Sequence, residues 1–180
     1  MKLVKTSRWN QGDIELFLID ESHVGDCYVG WLNDPRVNRF LESRFERHSF
    51  ESTRGFVRSC LASESTLFLG IRSYTLGMRH VGNIKLDSIN RRHGLGEVGV
   101  LIGEPDAWGR GIASTAISIL CDIAGDELSL RKLTAGCYAS NLGSERAFMR
   151  AGFHVEGRRP AHFLIDGQPE DLVLMAKWRS

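Results

Sequence analysis

The period of the hydrophobic pattern changes near residue 66, from helical spacing to the alternation that is typical of strands. Ahead of this change, a first strand is predicted over residues 13–20. Helices are then predicted over residues 22–32, over residues 37–41 and from Ser49 onward, with Ser22 and Ser49 as N-caps. The helix after Ser49 is expected to bury one apolar face, made of Phe56, Val57, Cys60 and Leu61.

After residue 66, runs of apolar and β-branched residues between glycines and polar turns predict a sheet. Its strands are predicted over residues 66–71, 80–86, 95–103, 132–139, 153–156, 162–165 and 171–177. Two helices interrupt them, over residues 110–128 and 141–151, and Gly152 ends the second one. Asp166-Gly167 is typical of a hairpin turn. We therefore expect an α/β (α+β) fold in one domain over residues 1–180, with a mixed, mostly antiparallel central sheet of about seven strands flanked by helices.

Composition narrows the classes of partner. The 180 residues carry a formal net charge of +1, and 42% of them are hydrophobic. A chain this close to neutral offers no electrostatic case for binding nucleic acid or an anionic membrane. No apolar run is long enough to span a bilayer, and the first residues lack a signal-peptide core, so the expected location is the cytoplasm.

The cysteines and histidines are spaced in a way that predicts no metal site. The four cysteines form no CxxC pair, and no histidine stands at metal-ligand spacing from them. They are Cys27, Cys60, Cys121 and Cys137. We expect reduced, mostly buried thiols without a catalytic role.

A glycine-rich turn separates the strand over residues 95–103 from the helix that follows it. Gly109 and Gly111 let the backbone approach a ligand closely, and Arg110 adds a positive charge at the helix start. The turn predicts a site for the pyrophosphate of a nucleotide-like cofactor, with a plain helix start as the alternative. No Gly-Lys-Ser/Thr follows, which excludes a triphosphatase loop, and the third glycine of the dinucleotide fingerprint is absent.

Two segments together resemble a known family. They are the turn over residues 108–113 with its preceding strand, and the run Asn141-Leu142-Gly143-Ser144-Glu145-Arg146-Ala147-Phe148-Met149-Arg150-Ala151-Gly152-Phe153. They resemble the GNAT superfamily of acetyl-CoA-dependent N-acetyltransferases. Residues 31–35 and 82–84 are similar to its RimJ/RimL-type branch. The resemblance covers nearly the whole chain and keeps the order of its elements.

The resemblance implies where acetyl-CoA binds. Residues 98–102 and 132–139 would splay apart, and the pantetheine arm would lie in the gap like an added strand. A backbone N–H near Leu101 or Ile102 would polarise the thioester carbonyl. For Arg150, a solvated helix charge is the alternative to a ribose-phosphate contact. The implied cofactor-binding residues are Val100, Leu101, Ile102, Gly109, Arg110, Gly111, Ile112, Ala113, Asn141 and Arg150, with no metal.

Glu97 is the implied catalytic base. An attacking amine must lose its proton, since free alkylamines resemble Lys, with a pKa of about 10.4. The alternative for Glu97 is a surface carboxylate that pairs with Arg91, Arg92 or Lys85. Glu170 and Asp171 compete for the base role, and His80, His93 and His162 are weaker candidates.

The implied acid is Ser144. Many superfamily members carry a Tyr seven residues after the Asn, and that position here is Phe148, which has no proton to donate. In RimL-like enzymes the Ser of the Asn-x-x-Ser motif is the proposed replacement. The alternative is that Ser144 only satisfies free N–H groups in the first helical turn.

These features predict an acyltransferase that moves acetyl from acetyl-CoA to a primary amine by direct attack in a ternary complex. The resemblance suggests a protein N-terminal amine as acceptor, and an amino sugar on a nucleotide carrier is the runner-up. A non-catalytic acyl-CoA-binding sensor is the alternative from another class, motivated by Phe148. Tyr74, Trp31 and Phe163 are candidate linings of the acceptor pocket, with a core role as the alternative for each. The resemblance leaves a monomer or a homodimer open.

Overall fold

A computed structural model describes residues 8–179 and contains a twisted eight-stranded sheet in the order β1-β2-β3-β4-β5-β6-β8-β7. The strands are β1 (Arg8–Gln11), β2 (Ile14–Leu18), β3 (Leu67–Ser73), β4 (Arg79–Asn90), β5 (Leu95–Ile102), β6 (Lys132–Tyr138), β7 (His154–Ile165) and β8 (Gln168–Trp178). The helices are α1 (Asp26–Asn33), α2 (Pro35–Asn38), α3 (Phe50–Ala62), α4 (Ile112–Asp126) and α5 (Leu142–Arg150). Short 3₁₀ turns lie at Glu21–His23, Glu42–Phe45 and Pro105–Ala107.

The mixed, mostly antiparallel sheet with flanking helices is confirmed, because β5 and β6 form its parallel pair and the other neighbours are antiparallel. The number of strands is eight rather than about seven. The predicted pieces over residues 153–156 and 162–165 are parts of one strand, β7. Register shifts after Val155 and Arg159 interrupt its pattern, and an edge strand tolerates both these irregularities and Pro160.

The predicted helix over residues 22–32 begins later than expected. Asp20 Oδ1 accepts the backbone N–H of Ser22 at 2.9 Å and caps the turn Glu21–His23, so Ser22 is not the N-cap. Gly25 precedes the helix α1. The predicted helix over residues 37–41 is instead α2, which Asp34 caps and which has Pro35 in its first turn.

The N-cap at Ser49 is confirmed, and Ser49 Oγ accepts the backbone N–H of Ser52 at 3.1 Å. The predicted apolar face of α3 is only half right. Val57 and Cys60 are buried, but Phe56 and Leu61 are 43% and 50% exposed. Thr53 completes the buried stripe, because residues 53, 57 and 60 share one helix face.

The sheet separates two apolar cores. One lies between the sheet and α4 with α5, and the face that it covers is called the α4 face below. The other lies under α1 and α3 and covers the α1/α3 face. Side chains of β5 alternate between them, since Val98 belongs to the first core and Leu101 packs against the second. The apolar side chains of α4 that are buried in the first core are Ile112, Ala116, Ile119, Leu120 and Ile123.

The cysteines are free, as predicted. Cys60 and Cys137 are buried, Cys121 is half-buried and Cys27 is exposed. Burial raises the pKa of the Cys121 and Cys137 thiols to about 11. These two thiols therefore stay protonated near neutral pH and have little nucleophilic character.

No helix within residues 8–179 is long and apolar enough to cross a membrane. In the same residues, no group of three or more His, Cys, Asp or Glu side chains is placed to hold a metal ion.

Candidate functional site

A gap opens between β5 and β6. The two strands pair in parallel only at Leu95–Lys132, Gly96–Leu133 and Glu97–Thr134. Beyond the last pair β5 continues on β4 as far as Ile102, and β6 continues on β8 as far as Tyr138. Each strand is thus held by its other neighbour while the edges that face each other are no longer paired.

Backbone groups of every second β5 residue face this gap. Gly94 O accepts the N–H of Lys132 at 3.1 Å, so even-numbered residues point toward β6. At the far end, Ile102 O accepts the indole N–H of Trp108 at 2.9 Å. Because backbone direction alternates along a strand, the N–H and C=O of Val100 also face the gap.

The backbone of Leu101 faces the other way. Leu101 pairs with Asn83 of β4, and two residues further on Gly103 N–H donates to Val81 O at 2.9 Å. Of the two backbone N–H groups expected to polarise a thioester, those of Leu101 and Ile102, only that of Ile102 is directed into the gap.

Backbone donors converge at the head of α4. Gly109 and Gly111 have φ angles of +74° and +78°, a region that favours glycine. The first internal helical bond runs from Thr115 N–H to Gly111 O. Within residues 8–179, the backbone N–H groups of residues 109–114 donate to no acceptor. Six donors at a helix N-terminus fit an anionic group such as a pyrophosphate.

Arg110 lies on the surface beside this turn. Its Nε donates to Asp106 O at 2.7 Å, which holds the side chain against the turn. Nearby, hydrogen bonds from Ser73 and Thr75, together with the positive charge of Arg110, hold the pKa of Asp13 below its usual value. Asp13 and Arg110 line a small cavity of about 200 Å³ between the β1–β2 turn and α4.

The second predicted segment forms α5. Asn141 caps this helix, since its Oδ1 accepts the backbone N–H of Ser144 at 3.1 Å. Phe148 points into the core of the α4 face, where its ring packs edge-on against Phe153 with centroids 5.0 Å apart. Ser144 is half-buried and Arg150 is exposed.

Glu97 differs from the carboxylates that compete with it. It is exposed, it is the last residue of β5 that pairs with β6, and its carboxylate makes no hydrogen bond or ion pair within residues 8–179. The expected alternative partner Lys85 instead binds Asp87 at 2.8 Å. Glu170 accepts the Ser140 N–H at 2.6 Å and Asp171 accepts the Ala161 N–H at 2.9 Å.

A cluster of side chains surrounds Tyr138 at the end of β6, and the sequence did not predict it. The Tyr138 hydroxyl is bonded to Glu42 and to Arg44 Nη1, and its ring stacks on Phe163 with centroids 4.3 Å apart. Arg44 also donates to Leu164 O at 3.0 Å. Burial and the Glu42 contact raise the pKa of Tyr138. Arg44 is 94 residues from Tyr138 along the chain, so no local pattern could have joined them.

Trp31 and Tyr74, two of the three aromatics expected in the acceptor pocket, do not lie in the Tyr138 cluster. Trp31 is buried in the core of the α1/α3 face and donates its indole N–H to Glu104 at 2.9 Å. Tyr74 lies at the outer end of β3 and contacts Asn10. Only Phe163, in the Tyr138 cluster, lies beside the end of β6.

His80 is a core residue. It bonds Asn83 Oδ1 at 2.8 Å and packs edge-on against Trp31 and Phe17. Burial lowers its pKa below the ordinary histidine value, against the raising effect of the Asn83 contact. His80 is therefore neutral near pH 7 and is no candidate for the gap.

The acetyltransferase (GNAT) domain family model matches residues 13–154. The chain belongs to this family. A curated relative of this GNAT chain is "Probable N-acetyltransferase YjcK" of Bacillus subtilis (strain 168), which is 40% identical over 68 residues. That match covers 38% of this chain and 38% of the relative, well under two thirds of its length.

Solved structures share the GNAT fold across almost the whole chain. A spermidine N-acetyltransferase from Vibrio cholerae, in complex with CoA and spermine, superposes with a TM-score of 0.81 at 19% identity and covers 93% of this chain and 96% of its own. Mycobacterium smegmatis RimJ, in complex with CoA-disulfide, has a TM-score of 0.79 at 16% identity and covers 92% and 81%. At such identities the likeness shows the fold alone.

Proposed function

We propose that this GNAT chain is an acetyl-CoA-dependent N-acetyltransferase that moves acetyl to a primary amine by direct attack in a ternary complex. One observation carries the proposal. Six backbone N–H groups at the start of α4 have no acceptor in the described chain. They come shortly after the part of β5 that lies beyond Glu97 and is not paired with β6. An anion at the turn and an extended arm along the edge would satisfy both sets of groups.

The chain's backbone would bind acetyl-CoA at two places. The N–H groups of Gly109, Arg110, Gly111, Ile112 and Ala113 would hold the pyrophosphate. Val100 and Ile102 would hydrogen-bond the pantetheine arm, and Leu101 would contribute packing because its backbone is engaged with β4. Asn141, by its family motif, would bind the arm, and exposed Arg150 would reach the ribose phosphate.

Bound acetyl-CoA supplies an acetyl group that is already activated as a thioester. The unpartnered Glu97 carboxylate would accept the proton of the amine, directly or through a water. The Ile102 N–H, directed into the gap, would donate to a carbonyl oxygen placed there. Ser144 is the proposed proton donor to the thiolate, because Phe148 is buried and has no donor group.

Protein N-terminal amines are the first acceptor class to test, on the resemblance to the RimJ/RimL-type branch. The amine of an amino sugar is the second. Polyamines are the third, because the Vibrio cholerae relative was solved with spermine. Polyamines carry several positive charges, whereas near the gap Asp87 already pairs with Lys85, and Glu170 and Asp171 each accept a backbone N–H.

The test combines binding with turnover. Calorimetry with acetyl-CoA should show saturable binding, and CoA release should depend on an added amine from one of these classes. Binding without acetylation of any amine would favour a non-catalytic acyl-CoA sensor. An absence of acetyl-CoA binding would refute both functions.

A further inference from the structure

Two glycines face each other across the gap on the α1/α3 face. Counting two residues beyond the last pair, Glu97–Thr134, leads to Gly99 on β5 and Gly136 on β6. The neighbours of Gly99, Val98 and Val100, pack in the α4-face core, so the missing side chain of Gly99 is directed to the α1/α3 face. The same alternation directs Gly136 there, because Ala135 and Cys137 belong to the α4-face core.

Among residues 8–179, no atom lies within 4 Å of a Cβ built on the exposed Gly99. Its φ lies outside the positive region, so no backbone requirement explains the glycine. A Cβ on Gly136 meets only Leu172 Cδ1, at 3.0 Å. We call the opening between these two residues the glycine slot.

The slot lies next to the proposed base. Glu97 precedes Gly99 by two residues, so its side chain is on the same face of the sheet. An amine that gives its proton to Glu97 while it approaches the gap would therefore lie over the slot. The substituents on the carbon that bears the amine must then fit between Gly99 and Gly136.

We propose that the glycine slot makes the protein specific for primary amines on a branched carbon. The α-amino group of a peptide and an amine on a sugar ring are both of this kind. A branched carbon carries two substituents besides the amine and therefore needs space on both sides of the nitrogen. Gly99 and Gly136 leave this space because they have no side chains. An amine on a CH₂ group needs no such width. The inference rests on the proposed function and specifies its acceptor.

The test compares amines that differ by one branch. The probes are alaninamide with glycinamide, and cyclohexylamine with cyclohexylmethylamine. The wild-type protein should acetylate a branched probe at least as well as its unbranched match. Gly99→Ala adds one methyl that meets no atom of the chain, so it should lower kcat/KM for the branched probe by about ten-fold and leave the unbranched probe within about two-fold. Gly136→Ala should likewise lower the ratio of kcat/KM for the branched probe to kcat/KM for the unbranched probe.

Gly157→Ala is the matched control. Gly157 lies on the edge strand β7, where a Cβ meets only Leu174 Cδ1 at an ordinary 3.8 Å. It should change neither ratio, and calorimetry should give all variants the acetyl-CoA affinity of the wild type.

Equal losses for branched and unbranched probes in Gly99→Ala, or no loss, would overturn the slot while leaving the acetyltransferase function standing. Wild-type activity that is confined to unbranched amines would also overturn it. A wild-type protein that acetylates no amine at all would instead overturn the proposed function, and the slot with it.

Discussion

At the scale of single residues, the carboxylates near the gap differ in what they already bind. Glu170 and Asp171 each accept a backbone N–H and Asp87 holds Lys85, so these groups keep local structure in place. The Glu97 carboxylate has no partner within residues 8–179. A carboxylate that holds no other group in place can exchange a proton without disturbing the backbone, which supports the proposed role of Glu97 as base.

Replacing Glu97 should therefore slow the reaction without weakening cofactor binding. We expect Glu97→Gln to lower kcat by about 100-fold, the lower end of what general-base catalysis contributes. The loss should be greatest at low pH, where more of the amine is protonated. Steady-state kinetics across pH, with acetyl-CoA affinity from calorimetry, would measure it. Asp171→Asn is the control and should retain activity, since an amide oxygen can still accept the Ala161 N–H. Unchanged turnover of Glu97→Gln at every pH would transfer the role elsewhere.

His80 should make the fold sensitive to mild acid. Burial lowers its pKa in the folded chain, so below the ordinary value of about 6.5 the unfolded chain binds more protons than the folded one. The free energy of unfolding should then fall with decreasing pH, by at most about 1.4 kcal/mol per pH unit. Urea unfolding at about pH 7.5 and 5.5 gives the free energy of unfolding at each pH. The difference between the two values should be smaller for His80→Gln than for the wild type. The exposed control His93→Gln should behave like the wild type, and an identical loss in all three proteins would contradict the assignment.

At the scale of elements, the turn before α4 both bends the chain at the end of β5 and begins a helix without a side-chain cap. The positive φ angles of Gly109 and Gly111 bend the chain at the end of β5, and the following helix begins without a side-chain cap. An N-terminus that no side chain caps leaves its N–H groups for water or a ligand. Trp108 closes the gap edge just before this turn through its bond to Ile102 O. This bond ties the strand edge to the turn proposed to bind an anion.

A charge placed in this turn should weaken cofactor binding. Asp and Asn both tolerate positive φ and have the same size, so Gly109→Asp and Gly109→Asn differ only in charge. We expect acetyl-CoA to bind Gly109→Asp at least about five-fold more weakly than Gly109→Asn, since like charges at about 4 Å repel by about 1–4 kcal/mol. Calorimetry at low and high salt would measure the difference, which should shrink as salt screens it. Equal affinities of the two variants would place the anion elsewhere.

At the scale of the whole molecule, the sheet carries an apolar core on each face, and the gap lies where β5 and β6 leave one another between them. The β4–β5 and β6–β8 pairings hold the two walls of the gap, and α4 packs across the strands from behind. The position of every proposed site residue thus depends on the α4-face core.

Truncating that core should lower stability strongly. Leu120 is fully buried in α4, and Leu120→Ala should cost about 2–5 kcal/mol of unfolding free energy. Leu142→Ala is the matched control on α5, where the side chain is 53% exposed, and it should change stability by less than about 0.5 kcal/mol. Urea unfolding gives both values. A loss below about 1 kcal/mol for Leu120→Ala would mean that the core relaxes into the space left by the side chain.

Much of the element map could be predicted because its signals are local. The helix after the glycine-rich turn, the cap at Ser49 and the turn at Asp166-Gly167 each depend on residues a few positions apart. The start of α1 was missed because Asp20 caps a separate 3₁₀ turn, Glu21–His23, which precedes the helix. The face of α3 was half missed because periodicity alone does not show which apolar side chains meet a partner.

The sequence by itself determined the glycine-rich turn proposed to bind an anion, the helix after it and, through its resemblance to a family, the expected acetyl donor. Only the tertiary structure decided that β5 and β6 part after Glu97–Thr134 and that Glu97 shares a face with Gly99 and Gly136. It also decided that the carboxylates of Asp87, Glu170 and Asp171 are engaged. The reason is physical. A turn or cap is a contact between near neighbours, whereas strand pairing and ion pairing join residues far apart in the chain, and their outcome depends on which partners the packed sheet brings together.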